Sequence, residues 1–187
     1  MKRLFIILLS LTIFLILIPF FLSISILILI IDRMNPIFIQ DRVGLNMKIV
    51  SIYKFRTLNV YESKGPIKSV EEDDKRITKL GKYLRLMNID ELPQIINIIQ
   101  GDINFIGPRP IAVSQNIKYE ASIKDWNGRY LIKPGITGIS QSLGLSGGDD
   151  VEKYKLICKL DRYYIRNKSI LLNYKIIVKT IKTIFKI

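Results

Sequence analysis

Residues 4–31 read LFIILLSLTIFLILIPFFLSISILILII, a 28-residue run without a charge. Only Ser10, Thr12, Pro19, Ser23 and Ser25 interrupt it. A run beyond about 18 apolar residues is a membrane candidate. It is not patterned as a signal peptide, whose apolar region is roughly 7–15 residues long and ends in small residues; this one ends Ile30-Ile31-Asp32-Arg33. As a straight helix it would be about 42 Å long, at ~1.5 Å per residue, against a hydrocarbon core of ~30 Å. Pro19 removes the hydrogen bond to the carbonyl of Leu15 and favours a kink at mid-run. Two arrangements satisfy these facts. A tilted single-pass anchor absorbs the excess length. A re-entrant hairpin uses two halves of about 20 Å each, too short to cross. Lys2-Arg3 and Arg33 flank the two ends, so the positive-inside bias favours re-entry at Pro19.

The far end of the chain holds a second element of this kind. In residues 169–187 lysines fall at 175, 179, 182 and 186, one narrow stripe at helical periodicity. The other faces carry Ile170, Leu171, Leu172, Ile176, Ile177, Val178, Ile181, Ile184, Phe185 and Ile187. Such a basic amphipathic helix suits a lipid surface; the alternative is a core-facing helix with a solvated lysine face. Between the two ends, residues 37–43 and 48–56 read as strands joined at Gly44-Leu45-Asn46. Residues 59–75, with Gly65-Pro66 and an acidic run at 71–74, read as a loop. Helices are expected over 76–87, 91–100, 111–125 and 150–167, with a glycine-rich irregular stretch over 130–148. The fold class expected is mainly α with a short β-hairpin, membrane-anchored, with amphipathic interfacial helices. The expected parts are a membrane helix over 1–33, a catalytic domain over 34–168 and the basic helix over 169–187.

The chain has no histidine, which removes histidine bases, serine–histidine triads and histidine-ligated zinc. The single cysteine, Cys158, removes an intrachain disulfide and a multi-cysteine metal site. Net charge is +13, and only Lys2 and Arg3 of it lie within residues 1–31. The rest therefore favours a polyanionic partner: nucleic acid, anionic lipid or a nucleotide-like substrate. No nucleic-acid-binding motif is evident.

Chemistry must then rest on carboxylates, lysines, arginines, tyrosines or hydroxyls. The sequence Ile89-Asp90-Glu91-Leu92-Pro93-Gln94 places two adjacent acids at an expected helix start. One reading makes Asp90 an N-cap, with Glu91 and Pro93 in the first turn. The other is chemical. Paired carboxylates are hard oxygen ligands that can share Mg²⁺ with a phosphate. A helix start supplies free N–H groups for an anion. Arg85 lies just upstream, Asp102 just downstream, and Gly107-Pro108-Arg109-Pro110 aims an arginine fork suited to phosphate oxygens.

Six motifs in this order carry a resemblance. They are residues 40–44 (QDRVG), 53–57 (YKFRT), 90–94 (DELPQ), 107–110 (GPRP), 133–138 (KPGITG) and 160–164 (LDRYY). With them the chain resembles the small monotopic phosphoglycosyl transferases, the bacterial sugar transferases that start lipid-linked glycans. The resemblance implies a UDP-sugar donor, a polyprenyl phosphate acceptor, membrane lipid as environment and Mg²⁺ as cofactor. It implies that Asp90 attacks the β-phosphorus, expels UMP and passes the sugar phosphate on from a covalent aspartyl species. Glu91 would be the chief Mg²⁺ ligand, with Asp90 sharing it. Arg109 would hold phosphate oxygens, with Arg56 and Arg85 as further candidates. Asp161 enters as a support residue, with a salt bridge within its helix as the alternative. The implied location is the cytoplasmic face of the bacterial inner membrane. The family's anchor breaks at a Ser-Pro pair; here the pair is Ile18-Pro19, so any break depends on the proline alone. A non-catalytic, membrane-tethered basic adaptor would explain charge and anchor but not the bracketed Arg109 or the ordered motifs. A transferase of some other phosphate-linked group would share the site.

Overall fold

A computed structural model describes residues 2–59, 74–145, 148 and 150–185. The expected loop at 59–75 and its acidic run lie almost wholly outside these residues. The protein is mostly helical (64%) with small sheets, as the hydropathy pattern implies. The chain divides into two compact units.

The first unit contains α1 (Lys2–Leu27), α2 (Lys79–Leu86) and α3 (Ile95–Gln100). It also holds β1 (Ile37–Val43) up to Gln40 and β2 (Ile49–Phe55) from Ser51 onward. Helix α1 runs without interruption through Pro19 and passes into a π turn, Ile28–Asp32. It stops at Arg33, whose φ of 53° is left-handed. Its hydroxyls are satisfied inside the helix: Ser10, Thr12 and Ser23 donate to the carbonyls of Ile6, Leu8 and Pro19. Among the described residues, Arg3–Asp32 is the one helix long and apolar enough to cross a membrane. Ile24 and Ile28 are buried with Phe55 and Leu84, against which Phe21, Ile37, Leu80 and Ile89 pack. Leu8, Leu15, Ile16, Leu22 and Ile30 remain exposed. Helix α2 starts at Thr78, whose hydroxyl accepts from Gly81 N and donates to Asp32 Oδ2, both at 2.8 Å. That single side chain ties the end of the apolar run to the start of α2.

Strand β2 lies at the edge of a three-stranded sheet of order β2-β1-β4, where β4 is Ile111–Ala112. Fully buried Asn97 of α3 covers that edge. Its Oδ1 accepts from Tyr53 N at 3.0 Å and its Nδ2 donates to Ser51 O at 2.8 Å. One amide thus supplies the donor and acceptor that a further strand would supply.

The second unit contains the hairpin tip, Asp41–Val50, and the described chain from Asp102 onward. β4 pairs antiparallel with the end of β1, Arg42 opposite Ala112 and Val43 opposite Ile111. β3 (Asn104–Ile106) and β5 (Gly135–Thr137) form a parallel pair. A Cβ on Gly135 would meet Gly107 N at 2.1 Å, so the two loops close only because residue 135 is glycine. The core is aromatic: Tyr119, Trp126, Tyr130 and Tyr154 with Val43, Ile111, Ile123, Ile157 and Cys158. Tyr119 stacks on Tyr154 at 4.0 Å between centroids. Buried Asn116 accepts from Trp126 Nε1 and the Tyr130 hydroxyl, so both polar handles are paired. Around this core lie α4 (Val113–Ser122), α5 (Ile139–Ser142), α6 (Val151–Asn167) and α7 (Ile170–Phe185).

Helix α7 has three faces. Asn173, Ile176, Thr180 and Ile184 turn inward. Thr180 meets Thr137 at 2.6 Å, and Thr183 donates to Ser142 O at 2.8 Å. Lys175, Lys179 and Lys182 form an exposed stripe. Ile170, Tyr174, Ile177, Ile181 and Phe185 form a separate exposed apolar face.

The hairpin and the last two helices lie where the sequence pattern puts them. Three expectations change. The stretch 111–125 opens with β4 rather than helix, because pairing with β1 overrides local propensity. Residues 130–148, read as irregular, contain β5 and α5. The helix expected over 91–100 is a 3-10 turn, Ile89–Gln94, followed by α3.

Candidate active site

The acid pair sits on that 3-10 turn. Asn88, left-handed at φ 55°, breaks the chain away from α2. Its carbonyl then accepts the Glu91 N–H at 3.2 Å. Asp90 is therefore inside the first turn and not at the cap, which corrects the N-cap reading; the flanking position belongs to Asn88. The N–H of Glu91, expected to be open to an anion, is taken by Asn88. Asp90 is buried, and the Glu91 side chain is 14% exposed.

The first unit brings Lys54 to this pair. Lys54 Nζ lies 2.7 Å from Glu91 Oε1. Sequence reading missed this lysine, although it stands inside the YKFRT motif, one residue before Phe55 of the core. Alternation along β2 sends Phe55 inward and Lys54 to the other side. Asn97 fixes the strand just before Lys54 through Ser51 and Tyr53. Arg85, on α2, approaches Thr57 Oγ1 at 3.4 Å. Arg56 is engaged with the backbone: Nε donates to Asn35 O at 2.8 Å and Nη2 to Ile37 O at 3.3 Å, with the guanidinium over the Phe38 ring. That arrangement secures the chain entering β1.

Asp90 and Glu91 are the carboxylates that could hold Mg²⁺. The described residues hold no cluster of three or more histidine, cysteine or acidic ligands. Two adjacent carboxylates match the one or two that Mg²⁺ takes from a protein when phosphates and water complete its shell. A cation, the Lys54 ammonium, already sits on one of these carboxylates.

The second unit holds Arg109 and Asp161. Asp161 does not bridge within α6. It pairs with Arg129 at 2.7 Å, and the side chains are 2% and 0% exposed. Burial pushes Asp161 up to about 6, with the Arg129 charge opposing the rise. Arg129 also donates through Nη2 to the Arg109 carbonyl at 3.0 Å and lies 4.4 Å over the Trp126 ring. Sequence reading missed Arg129 too; it stands in no motif, only four residues before Lys133 of KPGITG.

A family model described as bacterial sugar transferase matches residues 1–187. The chain belongs to the bacterial sugar transferase family. A bacterial sugar transferase of Klebsiella pneumoniae, a UDP-glucose:undecaprenyl-phosphate glucose-1-phosphate transferase, is 41% identical over 146 residues, covering 78% of this chain and 31% of the relative. The exopolysaccharide production protein PSS of Rhizobium leguminosarum bv. phaseoli is 36% identical over 97% of this chain and 93% of its own length. A UDP-N-acetylgalactosamine-undecaprenyl-phosphate N-acetylgalactosaminephosphotransferase of Aeromonas hydrophila is 34% identical over 89% of this chain and 39% of the relative. The chain thus spans about a third of the length of the Klebsiella and Aeromonas proteins.

Proposed function

We propose that this bacterial sugar transferase moves a sugar 1-phosphate from a UDP-sugar to polyprenyl (undecaprenyl) phosphate. The observation that carries the proposal is the buried Asp90 beside Glu91, with Glu91 held at 2.7 Å by Lys54. The names of the relatives supply the class of donor and acceptor; they differ in sugar, so the hexose is left to experiment.

Asp90 is the nucleophile. An aspartate is ionised at neutral pH with a reference value of about 3.9 and needs no base, in keeping with a chain that lacks histidine. A carboxylate oxygen of Asp90 bonds to the β-phosphorus of the UDP-sugar. The bond from that phosphorus to the bridging oxygen breaks, and UMP leaves with the electron pair. An oxygen of polyprenyl phosphate then bonds to the same phosphorus, the acyl phosphate bond breaks, and the Asp90 carboxylate is restored. The products are polyprenyl diphosphate sugar and UMP.

A carboxylate approaching a diphosphate must overcome like-charge repulsion. Lys54 supplies positive charge beside the acid pair, and Arg109 is proposed from the resemblance to hold phosphate oxygens. Glu91, with Asp90, would hold Mg²⁺, which when bound lowers the charge on the phosphates. The apolar α1 and the exposed apolar face of α7, rimmed by lysines, suit an inner-membrane protein whose acceptor is itself a lipid. We place the catalytic domain on the cytoplasmic face from the basic residues at both ends of the apolar run; α1 continues as helix through Pro19, so re-entry there takes a bend of the helix at the proline.

The test is UMP release with Mg²⁺, polyprenyl phosphate and a panel of UDP-sugars. The expected result is Mg²⁺-dependent release that Asp90→Asn abolishes, with a phosphosugar trapped on Asp90 by mass spectrometry. Release by the Asn variant at the wild-type rate would defeat the proposal.

A further inference from the structure

We infer that Arg129, Asp161 and Arg42 are positioning residues for Arg109, acting on its backbone rather than its side chain. The inference rests on the reading of Arg109 as the group that grips donor phosphates. Three successive carbonyls around Arg109 each accept a hydrogen bond from a different part of the second unit. Pro108 O accepts from Gly135 N at 2.9 Å, Arg109 O from Arg129 Nη2 at 3.0 Å, and Pro110 O from Arg42 Nη1 at 2.5 Å.

The geometry has a direct consequence. A peptide unit is planar, so a carbonyl held in place fixes the plane to which it belongs. The plane containing the Pro108 carbonyl and the plane containing the Arg109 carbonyl meet at the Arg109 Cα. Fixing both fixes the direction of the Cα–Cβ bond. The flanking prolines have restricted φ as well. Arg109 therefore leaves the backbone in one direction.

The donor chosen for the middle carbonyl is costly. Arg129 is fully buried, and its Nε and Nη1 make no hydrogen bond among the described residues. Its charge is offset by Asp161 and by the face of Trp126. A buried ion pair of this kind is a poor source of stability compared with an apolar pair of similar volume. Its use here is directional: a guanidinium plane, held by a carboxylate and an indole, presents Nη2 to one carbonyl. Four motifs then share a purpose that none shows alone. QDRVG supplies Arg42, KPGITG supplies Gly135, LDRYY supplies Asp161, and GPRP carries the residue they aim.

The experiment is a double-mutant cycle read by UDP binding in Mg²⁺ buffer and by kcat and KM for UMP release. Asp161→Asn and Arg42→Lys are each combined with Arg109→Lys. Each single change is expected to raise the Kd for UDP about 10-fold, a size consistent with a small misplacement of a binding group. In the Arg109→Lys background neither should cost more than about twofold further, since sites acting through one residue are not additive. Penalties that multiply fully in the doubles would overturn the inference, as would unchanged Kd in the singles. Arg42 is half-buried on a strand, so its variant keeps the cycle readable if Asp161→Asn folds poorly. Asp90→Asn serves as the separate control: if it still releases UMP, the proposed reaction fails while the UDP cycle still judges the clamp.

Discussion

Lys54 Nζ lies 2.7 Å from Glu91 Oε1, a contact between a strand and a 3-10 turn separated by 37 residues. The ammonium neutralises part of the acid pair and would compete with a metal for the same oxygen. Lys54→Gln should therefore bind Mg²⁺ or Mn²⁺ more tightly, by about threefold or more, because two carboxylates lose a neighbouring positive charge. The same variant should release UMP at least about 10-fold more slowly, because the phosphates lose a cation. Manganese titration by electron paramagnetic resonance and a UMP assay check the two arms.

Asn97 closes the edge of β2 with two hydrogen bonds from a fully buried side chain. Asn97→Leu leaves Tyr53 N–H and Ser51 C=O without those partners and should cost roughly 2–4 kcal/mol. Asn97→Asp keeps the acceptor but turns a carboxylate oxygen toward the Ser51 carbonyl, and should be no better. Thermal unfolding in detergent measures both.

Acid should act on the second unit in two opposite ways. Burial holds Asp161 at about 6 against an ordinary value of 3.8. The folded chain binds a proton in that window that the unfolded chain releases, so this group's contribution to stability is full below about 3.8 and is lost as pH rises through about 6. The ion pair with Arg129 exists only on the alkaline side. Between pH 7 and 5, wild type should gain stability relative to Asp161→Asn while losing affinity for UDP, and the Asn variant should show neither trend. Paired melting and binding curves across that range are the measurement.

A cysteine placed at Lys2 reports on the anchor, since Cys158 is buried and adds little background. With α1 re-entrant, the new thiol should resist a membrane-impermeant maleimide added to intact cells and react after permeabilisation. Pro19→Leu restores the missing helical hydrogen bond and should shift α1 toward crossing, making the thiol accessible from outside.

The parts of the fold that local chemistry dictates were legible in the sequence. The apolar run became α1, Gly44 and its neighbours made the hairpin turn, and Asp150 caps α6 through Glu152 N at 2.9 Å. What was not legible depends on contacts between distant residues. β4 is strand only because β1 lies beside it. Asp90 lost its cap position because Asn88 adopts a left-handed conformation that asparagine tolerates and no periodicity announces. Lys54 and Arg129 escaped notice for a related reason. A lysine on a strand and an arginine in a loop look solvated until the partner carboxylates, at 91 and 161, are brought to them. The motifs themselves could have been a signal, since LDRYY offers an acid whose partner had to be sought elsewhere in the chain.

The amide of Asn97 also limits what β2 can do with other molecules. An open strand edge is a template on which a second copy, or a nascent chain during synthesis, can add itself. Here the donor at residue 53 and the acceptor at residue 51 are already occupied by a side chain too short to propagate the ladder. The sheet therefore ends at a single residue, which keeps the strand of a second copy from extending it there.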